Sequence, residues 1–188
     1  TMLEEFYDLV NPEVLIPPEA TAVHGIDNNK VQNGIKTKEL VSILSIRIEE
    51  SFAAKRPLVI FNVPYDWKIF LEETKRCQFV IPEWTPLFVD PLCIDKFINK
   101  YRKGGRNLCT LAKAYQVPIE KSHSAKDDAL VAAKLARKMI VQHPVLQREN
   151  LEALQKRQKD EYEVWKKHIN TYWKTNKIDK EVTNSWPL

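Results

Sequence analysis

No cysteine framework staples this chain. Its three cysteines, Cys77, Cys93 and Cys109, are odd in number, lack CxxC spacing and stand far from any histidine cluster, so neither a disulfide scaffold nor a zinc site is indicated. A reducing cytoplasm fits that usage. Long apolar runs are also missing: nothing approaches the ~18 to 20 consecutive apolar residues of a membrane span. The opening TMLEEFYDL is acidic without an apolar core, which argues against secretion and against a membrane partner. Internal repeats and low-complexity tracts are absent as well.

What is present is ordinary for a globular protein. The 188 residues are 44% hydrophobic and 29% charged, enough for one full core with an appendage. A net charge of +4 permits a polyanionic partner without demanding one. EEFYDLV (4–10) alternates as a strand, and the proline-rich NPEVLIPPEATAVHGIDNN reads as an ordered loop. A helix is expected from Thr37 as N-cap, with Leu40, Leu44, Ile48 and Phe52 on its buried side. RPLVIFN (56–62) and LFVD (87–90) are short buried strands, Pro64 opens a helix, and further helices follow over 91–101 and in NLCTLAKAYQV. Alternating strands and helices give an α/β class. A boundary near His143 and Pro144 divides an α/β domain, residues 1–143, from a helical extension and tail, residues 144–188.

Two helix starts carry the chemistry. In HSAKDDALVAA (123–133), Ser124 can cap the helix with Asp127 at the third position, which suits the positive end of the helix dipole. Asp128 differs, because at 3.6 residues per turn it falls on the stripe of Ala125, Ala129, Ala132, Ala136 and Met139. A carboxylate on that stripe requires a positive charge from elsewhere. His123 precedes the helix and approaches from its end. The second start is FNVPYDWKIF (61–70), where a buried strand turns through Asn62 into a helix, at the strand end where α/β sheets gather ligands. Asp66 shares a face with Ile69, Phe70, Glu73 and Cys77. Taken singly, each acid is explained by dipole compensation. Likewise Asn62 alone reads as a turn residue, Tyr65 as core and His24 as a hydrogen-bonded loop residue.

HGI at 24–26, FNVPYD at 61–66 and HSAKDDA at 123–129, in this order and at these separations, resemble the DEDDh 3′-to-5′ exonucleases, the proofreading-type branch of the ribonuclease H-like fold. The resemblance spans about residues 3 to 140 and is strengthened by YDLVNPEVLIPPEATAVHGI. It implies a mixed sheet flanked by helices. It also implies that Asp66 and Asp128 help hold two divalent cations, Mg2+ or Mn2+, and that His123 is the general base. Such a pair of metals activates a water and stabilises the leaving 3′ oxygen, and a histidine titrating near neutrality can take the proton. Asn62 would orient the substrate, Tyr65 would lie beside the terminal nucleotide, and His24, Gly25 and Ile26 would line the pocket for the last base. The implied partner is a nucleic acid with a single-stranded 3′ end, with a polymerase or another replication or repair protein in a proofreading role.

The family's first motif, an Asp-x-Glu on the first strand, has no counterpart here. Glu4, Glu5, Asp8, Glu13 and Glu19 do not form one, and aligned on FYDLVNPE the chain begins at the family's third strand. The missing strand is central in that fold, and its loss would strand backbone groups. Additional N-terminal residues in the native protein are therefore expected. Two other regions could meet nucleic acid. KYRKGGRN (100–107) offers Lys100, Arg102, Lys103 and Arg106 to phosphates, or is a solvated loop. Leu154, Trp165, Ile169 and Tyr172 recur at helical spacing as a packing stripe, with Trp173 and Trp186 as anchors for the tail. Two readings stay open. One is a metal-dependent exonuclease acting on DNA (or RNA) and releasing nucleoside 5′-monophosphates; the other is a catalytically inactive module that binds nucleic acid or a protein.

Overall fold

The computed structural model describes residues 6–80, 83–119 and 124–187. Strand β1 (Val10–Asn11) pairs in parallel with β2 (Ile35–Lys36), and between them lies a helix in the segment expected to be loop, α1 (Pro18–His24). Its proline occupies the first helical position, where no N–H is lost and the fixed φ already suits a helix. Gly25 closes α1 at φ 71°, its N–H donating to the Thr21 carbonyl, a left-handed cap that glycine adopts without strain. Where the two strands meet, a Cβ on Gly34 would stand 2.6 Å from the Leu9 carbonyl oxygen. Only glycine allows that approach.

Next come α2 (Thr37–Ala53), β3 (Leu58–Val59), α3 (Val63–Arg76), β4 (Phe88–Val89), α4 (Pro91–Ile98) and α5 (Leu108–Ala114). The chain then continues through α6 (Ala125–Gln142), α7 (Pro144–Gln147) and α8 (Leu151–Thr175). The class is α/β, but in place of one mixed sheet the described residues form two parallel pairs, β1 with β2 and β3 with β4. The first strand is also shorter than its alternation implied, since Phe6 to Leu9 do not join it. Helix α2 begins at Thr37, with Lys36 and not Thr37 in the capping position. Its apolar face is less covered than expected: Val41 is buried, Leu40, Leu44 and Ile48 are half-buried, and Phe52 is exposed and stacks on Trp84 at 4.3 Å. The reason is a groove of about 390 Å3 between Leu44, Ile48, Leu58, Val59 and Phe70, along the edge of β3 that does not pair with β4.

Two cores lie on either side of β4, whose successive residues face opposite ways. Val89 packs with Ile94, Leu111, Leu135, Met139, Leu146 and Leu154, whereas Phe88 packs with Val63, Trp67, Cys93, Tyr162 and Trp186. The helices beyond residue 143 therefore complete both cores. Helix α8 also does the work of a neighbouring strand. The Gln158 side chain accepts from the Asp90 N–H at 2.7 Å and donates to the Phe88 carbonyl at 2.9 Å, and Gln155 accepts from the Phe88 N–H while donating to the Pro86 carbonyl. One turn of helix thus satisfies the outer edge of β4, which would otherwise bury unpaired backbone groups.

Replacing Gln158, which is fully buried, by leucine keeps the volume and orphans one donor and one acceptor. Gln158→Leu is expected to lower the unfolding free energy by about 2 kcal/mol or more, measured by urea denaturation; unchanged stability would remove the edge-pairing role.

Candidate active site

At the end of β3 the chain turns through Asn62 at φ 69° and ψ 56°, a left-handed conformation that asparagine tolerates. The turn is held from below by Asp90, which is 2% exposed. Its Oδ1 accepts from the N–H groups of Asn62 (2.9 Å), Leu92 (3.0 Å) and Cys93 (3.3 Å), and its Oδ2 from Val63 N–H (3.0 Å) and Trp186 Nε1 (3.3 Å). Burial pushes the carboxyl group above its ordinary pKa, and the hydrogen bonds from Asn62, Cys93, Val63 and Trp186 pull it back. Sequence reasoning placed residue 90 at the end of a strand and gave it no role. The signal was Asp-Pro at a helix start, an N-cap followed by proline at the first position.

Helix α3 buries Val63, Pro64, Trp67 and Thr74, which rotates Asp66 and Tyr65 outward. Asp66 is exposed and stands over the groove beside Leu58 to Ile60, not pressed among apolar neighbours. Partial desolvation on its strand side raises its carboxyl pKa, its own backbone N–H lowers it, and the charge of Asp90 raises it again. Tyr65 is 65% exposed, so its core reading is set aside. A ring so placed is free to meet a ligand.

Asp128 continues the buried stripe of Ala132, Leu135 and Met139 by one turn and is half-buried. Ala125 and Ala129 are exposed, because the first turn of α6 projects beyond the core; the inward stripe therefore starts later than its alanines suggested. Ser124 holds the capping position, though its side chain makes no capping bond. His123 lies outside the described residues.

The head of α6 borders a cavity of about 610 Å3, where Ser124 and Ala125 face His24, Gly25, Ile26 and the β1 segment. That rim is fixed by local bonds. Ile26 N–H donates to His24 Nδ1 at 3.0 Å, Thr21 Oγ donates to the Ile26 carbonyl, and Lys30 Nζ donates to the Gly25 carbonyl. The fold thus brings the segment around His24 to the helix that carries Asp128, while Asp66 and Asn62 stand at the neighbouring strand end outside this cavity.

The loop 100–107 is built differently from a free basic loop. Arg102 grips Asp95 through Nε (2.8 Å) and Nη2 (2.6 Å), and Arg106 Nε reaches the same carboxylate at 3.0 Å. Asp95 is fully buried, so these two guanidiniums neutralise an internal charge. Lys100 and Lys103 remain at the surface.

A sequence model described as Exonuclease matches residues 1–136. The chain belongs to that exonuclease family. A protein of Mycobacterium tuberculosis (strain CDC 1551 / Oshkosh), named a bifunctional exonuclease/endonuclease, is 28% identical over 128 residues, which is 68% of this chain. The chain spans 19% of that relative's length. Exonucleases of this family use divalent metal ions and act on nucleic acid. The oxygen donors of Asp66 and Asp128 suit such hard cations, and neither acid forms an ion pair with a described residue. Among the described residues no three histidine, cysteine, aspartate or glutamate side chains cluster as metal ligands. None of the described helices is long and apolar enough to cross a membrane.

Removing one partner of the buried Asp95 cluster leaves a charge without full compensation. Arg102→Ala is expected to cost about 3 kcal/mol of stability in the absence of any nucleic acid, read by thermal unfolding; a loss of nucleic-acid affinity without any change in unfolding would return Arg102 to the binding surface.

Proposed function

We propose that the protein is a metal-dependent 3′-to-5′ exonuclease that hydrolyses the terminal phosphodiester of a DNA or RNA strand and releases nucleoside 5′-monophosphates. The observation that supports it most is the cavity shared by His24, Gly25, Ile26 and the head of α6, one turn from Asp128. In this reading the terminal nucleotide enters that cavity, and Ile26 separates its base from the preceding one. Tyr65, projecting from α3, lies against the sugar side of the strand. Asn62, fixed by its N–H bond to Asp90, orients the end of the chain.

Asp66 and Asp128 hold divalent metal, Mg2+ or Mn2+, through their carboxylate oxygens. When bound, the metal supplies the positive charge that polarises the phosphodiester and favours hydroxide over water. His123 takes the proton of the attacking water, for which a group titrating near neutrality is suited. The partly desolvated setting of Asp66 raises the cost of an uncompensated charge there and so favours a bound cation.

The test is manganese-dependent release of mononucleotides from a labelled single strand by the full-length native protein. His123→Ala is expected to slow release by roughly 10²- to 10⁴-fold, and Asp128→Asn to abolish most of it while leaving thermal unfolding nearly unchanged. Full activity in Asp128→Asn would overturn the metal assignment. A native protein that binds the strand and never cleaves it would make this an inactive binding module.

A further inference from the structure

On the side of the molecule served by the C-terminal end of α4, a second concavity of about 210 Å3 opens between α4 and α8. Its walls carry Lys96, Lys100, Tyr101, Arg106, Trp165 and His168. The lysine at its base is unusual. The Lys96 ammonium lies 3.3 Å from the Trp165 ring centroid and 5.2 Å from that of Tyr162, and it has no hydrogen-bond acceptor among the described residues. Among the described residues the ammonium is therefore met by aromatic faces and by no oxygen or nitrogen acceptor.

The surrounding charge has the same sign. Asp95 answers two guanidiniums with one carboxylate, which leaves the loop that carries Lys100 and Arg106 with an excess of positive charge. Arg106 commits Nε to Asp95 and Nη2 to the carbonyls of Asn99 and Lys100, so Nη1 has no partner among the described residues. Among the described residues Glu161 is the one acid lining the cavity, against two lysines, an arginine and a histidine. Burial and the charge of Arg106 depress the Lys96 pKa to about 8, with Cys93 and Asp90 pulling it up. A cation kept in such surroundings is better satisfied by an anion than by the rings alone. Tyr101, 87% exposed at the rim, adds an aromatic face for a planar group beside that anion.

We propose that this cavity recognises a nucleoside phosphate unit, the phosphate held by Lys96, Lys100, Arg106 and His168 and the base lying against Tyr101. It stands apart from Asp66 and Asp128. Helix α4 separates it from the Asp90 end of the strand, Lys96 being six residues beyond Asp90, or about 9 Å along the axis. The proposal takes from the exonuclease reading only the choice of probes. The same chemistry is presented by a free mononucleotide and by a strand passing over the surface, and the probes below separate them.

Binding is measured on the full-length protein in EDTA, with a labelled oligothymidylate, adenosine 5′-monophosphate and inorganic phosphate as separate probes. Because no metal is present and nothing is hydrolysed, failure here leaves the proposed hydrolysis at Asp66 and Asp128 standing, and the reverse is also true. Lys96→Met keeps the apolar stem and removes the charge; it is expected to weaken binding of the engaged probe by about tenfold or more. For a strand, the dependence of log affinity on log salt should also become shallower by about one contact. Lys100→Ala, at an exposed position, guards against a folding defect in the first variant and is expected to weaken the same probe. Saturable binding of the mononucleotide would make the occupant a free nucleotide, and binding of the oligothymidylate alone would make it a strand. No binding of any probe to the native protein, or affinities unchanged in both variants, would overturn the proposal.

Discussion

The carboxylate of Asp90 is the constraint on which the rest of this structure depends. It is buried with no ion pair among the described residues, and four backbone N–H groups and the Trp186 indole converge on it. Each donor comes from a piece of chain that must be placed: the turn after β3, the first turn of α4, and the tail. Its own N–H is taken by Gln158 of α8. Fixed dipoles thus offset the desolvation of the charge, and in doing so they lock the Asn62 turn from which α3 carries Asp66 and Tyr65 outward. The tail is held to the same point. Asn170 bonds Val182 in both directions and Lys166 reaches the Asn184 carbonyl, which delivers Trp186 to the ring of Phe88, 6.1 Å away.

The two edges of the β3 and β4 pair are treated differently. Beside β4 the glutamines of α8 supply donors and acceptors with the spacing of a strand. Beside β3 the described residues leave a groove, and the apolar face of α2 is correspondingly half-covered. The candidate site shares the asymmetry: the cavity around His24 and the head of α6 is formed, while the described acids fall short of a full ligand set.

Helices were legible because their signals are local. Pro64, the segment NLCTLAKAYQV and the helical spacing of Leu154, Trp165, Ile169 and Tyr172 place α3, α5 and α8 close to where they stand. Helix α1 was not legible, since proline content was read as loop when one proline occupied a tolerated first position. The strands proved shorter than their apolar runs, because pairing depends on a partner that the run itself does not reveal. The segment 100–107 misled for a related reason. Its arginines looked free only because Asp95, seven and eleven residues away, carries no mark of its burial.

By itself the sequence determined the α/β class, the order of the motifs that resemble an exonuclease, and the placement of Asp128 on the stripe of Ala132, Ala136 and Met139. These follow from helical period, capping chemistry and spacing, all of which act over a few residues. Tertiary structure decided which charges are spent inside and which face outward. Asp90 and Asp95 became structural, Arg102 and Arg106 were drawn to Asp95, and Lys96 was left over the Trp165 ring with no acceptor among the described residues. A charge finds its partner through space, where desolvation and distance set the energy.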